Sequence, residues 1–234
     1  MMPTDVNKTR QLIDPELAMR FGGAILFIGV LLTVLTIGFE VRIGWVALIS
    51  GEPSVEDLAT FMQSHWSALR WIWGGQMLGT FFTALAALLL MQGLHLQHRW
   101  FSTGILWSVV FIGAILVTVA FGFTLGSYPP SIAAFEQSPE LFETIRTGVR
   151  FLYDMGGLGL FSAIFVLFVW EGIANQGVMP KSWLVGTAVV VIFVIVAGIS
   201  GLLAPQLAGA VIFLIQGVLG LAYWRYGRWI AVDT

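Results

Sequence analysis

The chain has 234 residues, of which 58% are hydrophobic and 10% are charged, and its formal net charge is −2. Soluble domains carry about 25% charged residues, and the charges here lie in short clusters between apolar runs long enough to cross a membrane. This composition excludes a soluble enzyme, a disordered protein and a nucleic-acid-binding protein. The absence of cysteine excludes disulfides and thiolate chemistry built from this chain alone.

The sequence predicts an all-α polytopic membrane protein with six transmembrane helices, each an apolar run of about 20 residues. The runs cover residues 21–39, 71–94, 101–126, 151–170, 183–203 and 207–224. Residues 1–20 are predicted to form an N-terminal segment, residues 21–226 the transmembrane domain and residues 227–234 a C-terminal tail. A helix start is predicted at Asp14 and Pro15, because Asp is a favourable N-cap and Pro suits the first helical position.

The two longer connections are each predicted to carry a short amphipathic helix on the outer face. In the first, Ser54 and Asp57 have the spacing of a capping box, and the helix covers residues 55–65. In the second, Pro139 follows a serine cap, and the helix that starts there is expected to continue into the fourth span. All eight prolines lie outside the predicted spans. We therefore expect unbroken helices, unlike the interrupted helices at which many transporters bind cargo.

The distribution of positive charge predicts that both termini are cytoplasmic. Positively charged residues favour the cytoplasmic side of a membrane, and the side of the termini carries seven of the eleven Lys and Arg, against four on the other side. The seven are Lys8, Arg10, Arg20, Arg99, Lys181, Arg225 and Arg228, and the four are Arg42, Arg70, Arg146 and Arg150.

The connection between spans four and five, NQGVMPKSWL at 175–184, together with the six-span layout, resembles an uncharacterised bacterial membrane family known as a domain of unknown function. In that family a Gly-rich fourth span leads into a short polar turn and a Pro-x-x-Leu-like start of the fifth. This chain has Asp154 where the family often has a histidine before glycine, so a role of that histidine does not carry over. The resemblance implies a bacterial inner membrane and supplies no activity.

Polar residues share one face of each of the first two spans. Thr33, Thr36 and Glu40 do so in the first span, and Gln76, Thr80 and Thr83 in the second. Ionisable groups inside a span usually face the bundle interior. We therefore predict an outward-opening polar cleft that binds or transports a small amphipathic ligand or a lipid. Its predicted residues are Glu40, Arg42, Arg70, Gln76, Arg150 and Asp154.

A plainer interpretation of these charges remains open. All six predicted cleft residues lie within about two helical turns of the outer boundary, where charge is tolerated. They could pair with one another or extend to the membrane interface. In that case they would define the register of the helices and would not form a binding site. Arg150 and Asp154, at i and i+4, are expected to pair directly.

No cofactor, metal site or catalytic residue is predicted. Haem ligation by His65, His95 or His98 is disfavoured, because paired histidine ligands must come from facing helices at one depth. A metal site at His95 and His98 would have only Glu171 as a nearby carboxylate. The sequence contains no HExxH, GxSxG or Walker pattern, which favours a protein that is not an enzyme.

The alternative to a ligand-binding protein is an accessory subunit that packs against a larger membrane complex. Membrane lipids are expected partners in either case, with a homo-oligomer or a larger complex as further possibilities. Small residues four apart occur at Gly75/Gly79, Gly122/Gly126 and Ala197/Gly201. Such pairs let helix backbones approach closely, so they serve packing within the bundle or docking to another protein.

Reporter fusions test the predicted topology. A reporter that is active only outside the cytoplasm should be active when fused after residue 60 or residue 138, and inactive when fused after residue 234. Cytoplasmic signal at residue 60 or residue 138 would contradict the assignment.

Overall fold

The structure is a computed structural model that describes residues 14–96, 103–173, 177–200 and 210–227. Within these ranges the regular secondary structure is helical, which confirms the all-α prediction. The helices are α1 (Pro15–Arg42), α2 (Trp45–Ser50), α3 (Val55–Leu96), α4 (Ile105–Ala133), α5 (Pro139–Ile173), α6 (Lys181–Ile199) and α7 (Val211–Tyr226). Among them α1, α3, α4, α5 and α6 are long and apolar enough to cross a membrane, and α7 is a shorter apolar helix.

Two helix starts follow the predicted capping chemistry. The Asp14 carboxylate accepts a hydrogen bond from the backbone N–H of Glu16 at 3.0 Å. Ser54 and Asp57 form a reciprocal capping box, in which each side chain accepts from the backbone N–H of the other at 3.1 Å. These contacts satisfy N–H groups that have no partner within the helix.

The segment 55–65 is helical but is not a separate outer helix, because α3 runs without interruption from Val55 to Leu96. The reason is local, since residues 65–71 (HWSALRW) contain neither glycine nor proline. The other predicted loop helix does continue into its span, as α5. The six-residue helix α2 was not predicted.

Helix α4 also extends beyond its predicted end at residue 126, and Pro129 and Pro130 lie inside it. The expectation that the prolines would lie outside the long helices is therefore wrong here. A proline inside a helix removes a backbone hydrogen bond and costs about 3 kcal/mol. Packing offsets that cost, because Tyr128 and Ile132 are buried in an apolar cluster with Phe142 of α5.

The helices α1, α3, α4, α5 and α7 form a ring. Helix α3 packs against α1 and α4, α1 also packs against α7, α4 against α5, and α5 against α7. Helix α6 lies outside the ring and touches α5 and α7. We call the end of the bundle that holds Pro15, Gly93 and Gly227 the terminal end. The opposite end, where α1 ends and α3 begins, is the loop end.

Glycines allow close contacts between helices. A methyl group added at Gly113 of α4 would lie 2.7 Å from the carbonyl oxygen of Gly156 on α5. One added at Gly79 of α3 would lie 2.8 Å from that of Gly29 on α1. The predicted pair Gly75/Gly79 therefore serves packing inside the bundle, with Gly75 against Thr36.

The other two small-residue pairs differ from Gly75/Gly79. Added methyl groups at Gly122 and Gly126 would meet no heavy atom within 4 Å among the described residues. This pair lies on the outward face of α4. In the third pair, Ala197 is buried, whereas Gly201 lies outside the described residues.

The substitution Gly113→Ala tests the contact between α4 and α5. We expect it to lower the free energy of unfolding by about 1–3 kcal/mol, because the added methyl group forces two backbones apart. Gly122→Ala on the same helix is the matched control and should be neutral or stabilising by up to ~1 kcal/mol. Thermal denaturation in detergent measures both variants, and equal melting temperatures would contradict the proposed contact.

Candidate ligand-binding site

A cavity of about 970 Å³ lies inside the ring of helices. Its walls are formed by α1, α3, α4, α5 and α7, and α2 lines it at the loop end. Trp45 and Glu52 line the loop end of the cavity, whereas Thr83 and Gln216 lie deepest. The lining follows α3 from Leu58 to Thr83, which corresponds to about 38 Å of helix. Ligand sites commonly have volumes of about 300–1,000 Å³, so the cavity is large enough for a sizeable organic molecule.

Helix α2 reaches the cavity because the chain reverses sharply after α1. Gly44 has a φ of 85°, in the left-handed region that glycine adopts without steric cost. The reversal places Trp45 against Trp73 of α3, with ring centroids 5.5 Å apart and the rings nearly perpendicular. Trp45 also contacts Phe61, with a centroid distance of 5.7 Å.

The polar faces that the sequence predicts on the first two spans both contribute to this cavity. Thr33 and Glu40 of α1 line it, as do Gln76, Thr80 and Thr83 of α3. The hydroxyl groups of the threonines donate to backbone carbonyls one helical turn earlier. The threonine hydroxyl groups can therefore act only as hydrogen-bond acceptors toward the cavity.

Glu40 sits in a half-buried position between α1 and α3. Its Oε1 accepts a hydrogen bond from Nε1 of Trp73 at 2.9 Å. The Trp73 ring is in turn held edge-on by Trp66 and Tyr128, at centroid distances of 6.0 Å. The carboxyl group of Glu40 is thus held in place by a neutral donor.

Gln216 of α7 supplies the deepest polar group. Its Nε2 donates to Oγ1 of Thr83 at 2.9 Å, while the Thr83 hydroxyl donates to the carbonyl oxygen of Gly79 at 3.1 Å. Because the Thr83 hydrogen is used there, Thr83 can only accept from Gln216, which fixes the orientation of the amide. The Oε1 of Gln216 is left without a hydrogen-bond partner, although the residue is only 3% exposed.

Arginines of α5 lie at the loop end of the cavity, and both are paired on their own helix. Arg146 makes two hydrogen bonds of 2.7 Å with the carboxylate of Glu143. The Nε of Arg150 lies 3.5 Å from Oδ2 of Asp154, which confirms the predicted i, i+4 pair. The side chains of that pair are 73% and 63% exposed, so water screens their attraction.

The structure brings together half of the predicted cleft. The predicted residues that line the cavity are Glu40, Gln76 and Arg150. Arg42, Arg70 and Asp154 are exposed and lie outside its lining. Helix geometry explains the difference, since each residue advances about 100° around the axis. Arg42 is therefore about 200° from Glu40, Arg70 is about 120° from Gln76, and Asp154 is about 100° from the lining residue Tyr153.

Several lining residues were not predicted. Gln216 is an amide inside an otherwise apolar run, and that signal could have identified it. The aromatic side chains of the lining carry no such signal, because aromatic residues occur throughout the apolar runs. Those not predicted as site residues are Trp45, Trp73, Phe121, Tyr128, Tyr153, Phe161 and Phe213.

A second buried polar cluster lies toward the terminal end. The hydroxyl of Tyr223 donates to Oε1 of Glu171 at 2.6 Å and accepts from Nε1 of Trp107 at 3.3 Å. The other carboxyl oxygen of Glu171 accepts from the backbone N–H of Val178 at 2.9 Å. This cluster joins α5, the α5–α6 connection, α4 and α7. A packed apolar layer that includes Leu219 separates it from the cavity.

The two histidines that the structure describes, His65 and His95, lie outside the cavity lining. His65 stacks on Phe61, with ring centroids 4.2 Å apart, and His95 lies exposed near the end of α3. His98 falls outside the described residues. Within the described residues, no group of three or more His, Asp or Glu side chains could hold a metal ion.

Comparison of the chain with protein-family models, with curated proteins and with solved structures gives no match. The resemblance to a bacterial six-span family therefore stays a prediction.

Removal of one hydroxyl tests the cluster around Glu171. Tyr223→Phe should lower the free energy of unfolding by about 1–3 kcal/mol, because buried groups of Glu171 and Trp107 each lose a partner. Tyr226→Phe on the same helix is the control. The Tyr226 ring packs on Trp183, so we expect a change within about 0.5 kcal/mol. Thermal denaturation measures both, and a Tyr223→Phe protein as stable as the wild type would refute the assigned role.

Proposed function

We propose that this chain is a multi-pass membrane protein that binds an amphipathic molecule in the cavity, rather than an enzyme. The observation that supports this proposal is that the same cavity is lined by both a polar wall and an apolar wall. Thr33, Glu40 and Gln76 belong to the polar wall, and Leu160 and Phe213 to the apolar one. A ligand with a polar group and an apolar body can satisfy both walls at once.

The apolar layer between the cavity and the terminal end supports a site that a ligand enters from the loop end only. Leu90, Ile164, Leu167 and Leu219 are fully buried between the cavity and the terminal end. Such tightly packed side chains leave little space for a polar molecule to pass. The proposed site therefore opens toward the loop end, and transport would require a rearrangement of this layer.

The proposed membrane arrangement has six crossings. Helix α7 has 16 residues, about 24 Å in length, and it packs along α1. Its length and position support a sixth crossing beside the five longer helices. From the distribution of Lys and Arg we propose cytoplasmic termini, so that the loop end faces outward. The resemblance to a bacterial family supports the inner membrane as its location.

One observation favours the accessory-subunit alternative. Gly122 and Gly126 present an open small-residue surface on the outward face of α4, a feature that allows close docking of another transmembrane helix. Lipid chains can also cover this face. We therefore keep a subunit role as the second candidate function.

Blocking the cavity tests the binding function. Ala120 lines the cavity, so Ala120→Phe should place a ring inside it and abolish ligand retention. Val119 is exposed on the other face of α4, so Val119→Phe adds the same ring outside. Native mass spectrometry of protein extracted into lipid nanodiscs should show a retained molecule with the wild type and Val119→Phe, and none with Ala120→Phe.

Other outcomes separate the two candidate functions. Equal retention by all three proteins would place the retained molecule outside the cavity, and a wild type without a retained molecule would contradict the binding function. Co-purification of a protein partner that is lost in Val119→Phe, but kept in Ala120→Phe, would instead support the subunit role.

A further inference from the structure

We propose that the ligand of the cavity is a lipophilic organic cation whose positive group lies beside Glu40. This inference rests on the proposed binding function and adds the chemical class of the ligand. Three features of the cavity support it: its carboxyl groups without a cation partner, its aromatic surface and the character of its deepest polar group.

The lining of the cavity contains two carboxyl groups that no lining cation neutralises. Glu40 accepts a hydrogen bond from the neutral Trp73 and forms no ion pair with a described residue, and Glu52 adds a second lining carboxylate. The two lining cations, Arg146 and Arg150, are paired with acids outside the lining. An apolar site that holds an uncompensated carboxyl group favours a positively charged partner.

Aromatic rings line the cavity over about 10 Å of its depth. Trp45 and Trp73 meet at an angle of 75°, and Trp73 and Tyr128 meet at 67°. Phe121 and Tyr153 form a further perpendicular pair with centroids 5.7 Å apart. All five rings line the cavity. Perpendicular packing turns ring faces in different directions, and ring faces attract cations, most strongly when water is excluded.

The deepest polar group offers an acceptor. Oε1 of Gln216 has no partner, and Thr80 and Thr83 have already donated their hydroxyl hydrogens to backbone carbonyls. Trp73, which donates to Glu40, and Thr83 are ten residues apart on α3, so this acceptor lies about 15 Å below the level of Glu40. An N–H or O–H group on the body of the ligand would satisfy it.

Two ions of similar shape and opposite charge test the inference. Tetraphenylphosphonium and tetraphenylborate carry the same four rings around a central atom and differ in the sign of their charge. Equilibrium dialysis against the protein in lipid nanodiscs, with protein-free nanodiscs subtracted, measures the binding of each. We expect tetraphenylphosphonium to bind the wild type at least about tenfold more tightly than tetraphenylborate, a difference of ~1.4 kcal/mol.

The substitution Glu40→Gln removes the charge and keeps an oxygen that can accept from Trp73, so the fold should be retained. It should weaken tetraphenylphosphonium binding at least about tenfold and leave tetraphenylborate binding unchanged or stronger. Glu136→Gln is the matched control, because it removes the same charge at an exposed position between α4 and α5. It should bind both ions as the wild type does. The thermal denaturation profile checks that each variant is folded.

The outcomes distinguish this inference from the function on which it rests. Equal or tighter binding of tetraphenylborate, or equal weakening in Glu40→Gln and Glu136→Gln, would overturn the cationic ligand. If Ala120→Phe still abolished ligand retention, the binding function would survive that result. If neither ion bound the wild type and Ala120→Phe retained the same molecules as Val119→Phe, both proposals would fail.

Discussion

The contact between α1 and α3 at Gly29 and Gly79 is the constraint on which the site depends. Glycine lets the two backbones approach at this level, and the neighbouring Thr33 and Thr36 of α1 then face α3. One to two turns toward the loop end, the same approach brings Glu40 within hydrogen-bonding distance of Trp73. The polar faces of the two helices thus form one continuous wall.

The bundle separates two polar regions by depth. Glu171 and Tyr223 are fully buried in a cluster that links several helices toward the terminal end. Glu40 and Gln216 instead border open space. In the cluster of Glu171 and Tyr223, the carboxyl and hydroxyl groups have protein partners and so stabilise helix packing. At Glu40 and Gln216, some acceptor oxygens are not fully hydrogen-bonded, which is costly in an apolar surrounding unless a ligand or water supplies a donor. That contrast identifies the cavity, and not the buried cluster, as the candidate site.

The parts of this structure that could be predicted from the sequence are those governed by local periodicity. Apolar runs predicted the long helices, the capping pattern predicted the start at Asp14, and helical spacing predicted the polar faces of Thr33 and Thr80. Prediction was wrong where long-range packing overrode local preference, as at Pro130 inside α4. Arg42 was assigned to the cleft by depth alone, whereas its direction around the helix axis places it outside.

The exposure of each charge governs the sign of ligand that the site can select. The exposed pair of Arg150 and Asp154 is screened by water and neutralised on its own helix, so it discriminates weakly. Glu40 is half-buried, so fewer water molecules screen it, and the attraction between its carboxyl group and a cation is correspondingly stronger. An anion at the same position would meet both the carboxyl group and the aromatic faces unfavourably. Discrimination at Glu40 therefore comes from repulsion of the wrong charge as much as from attraction of the right one.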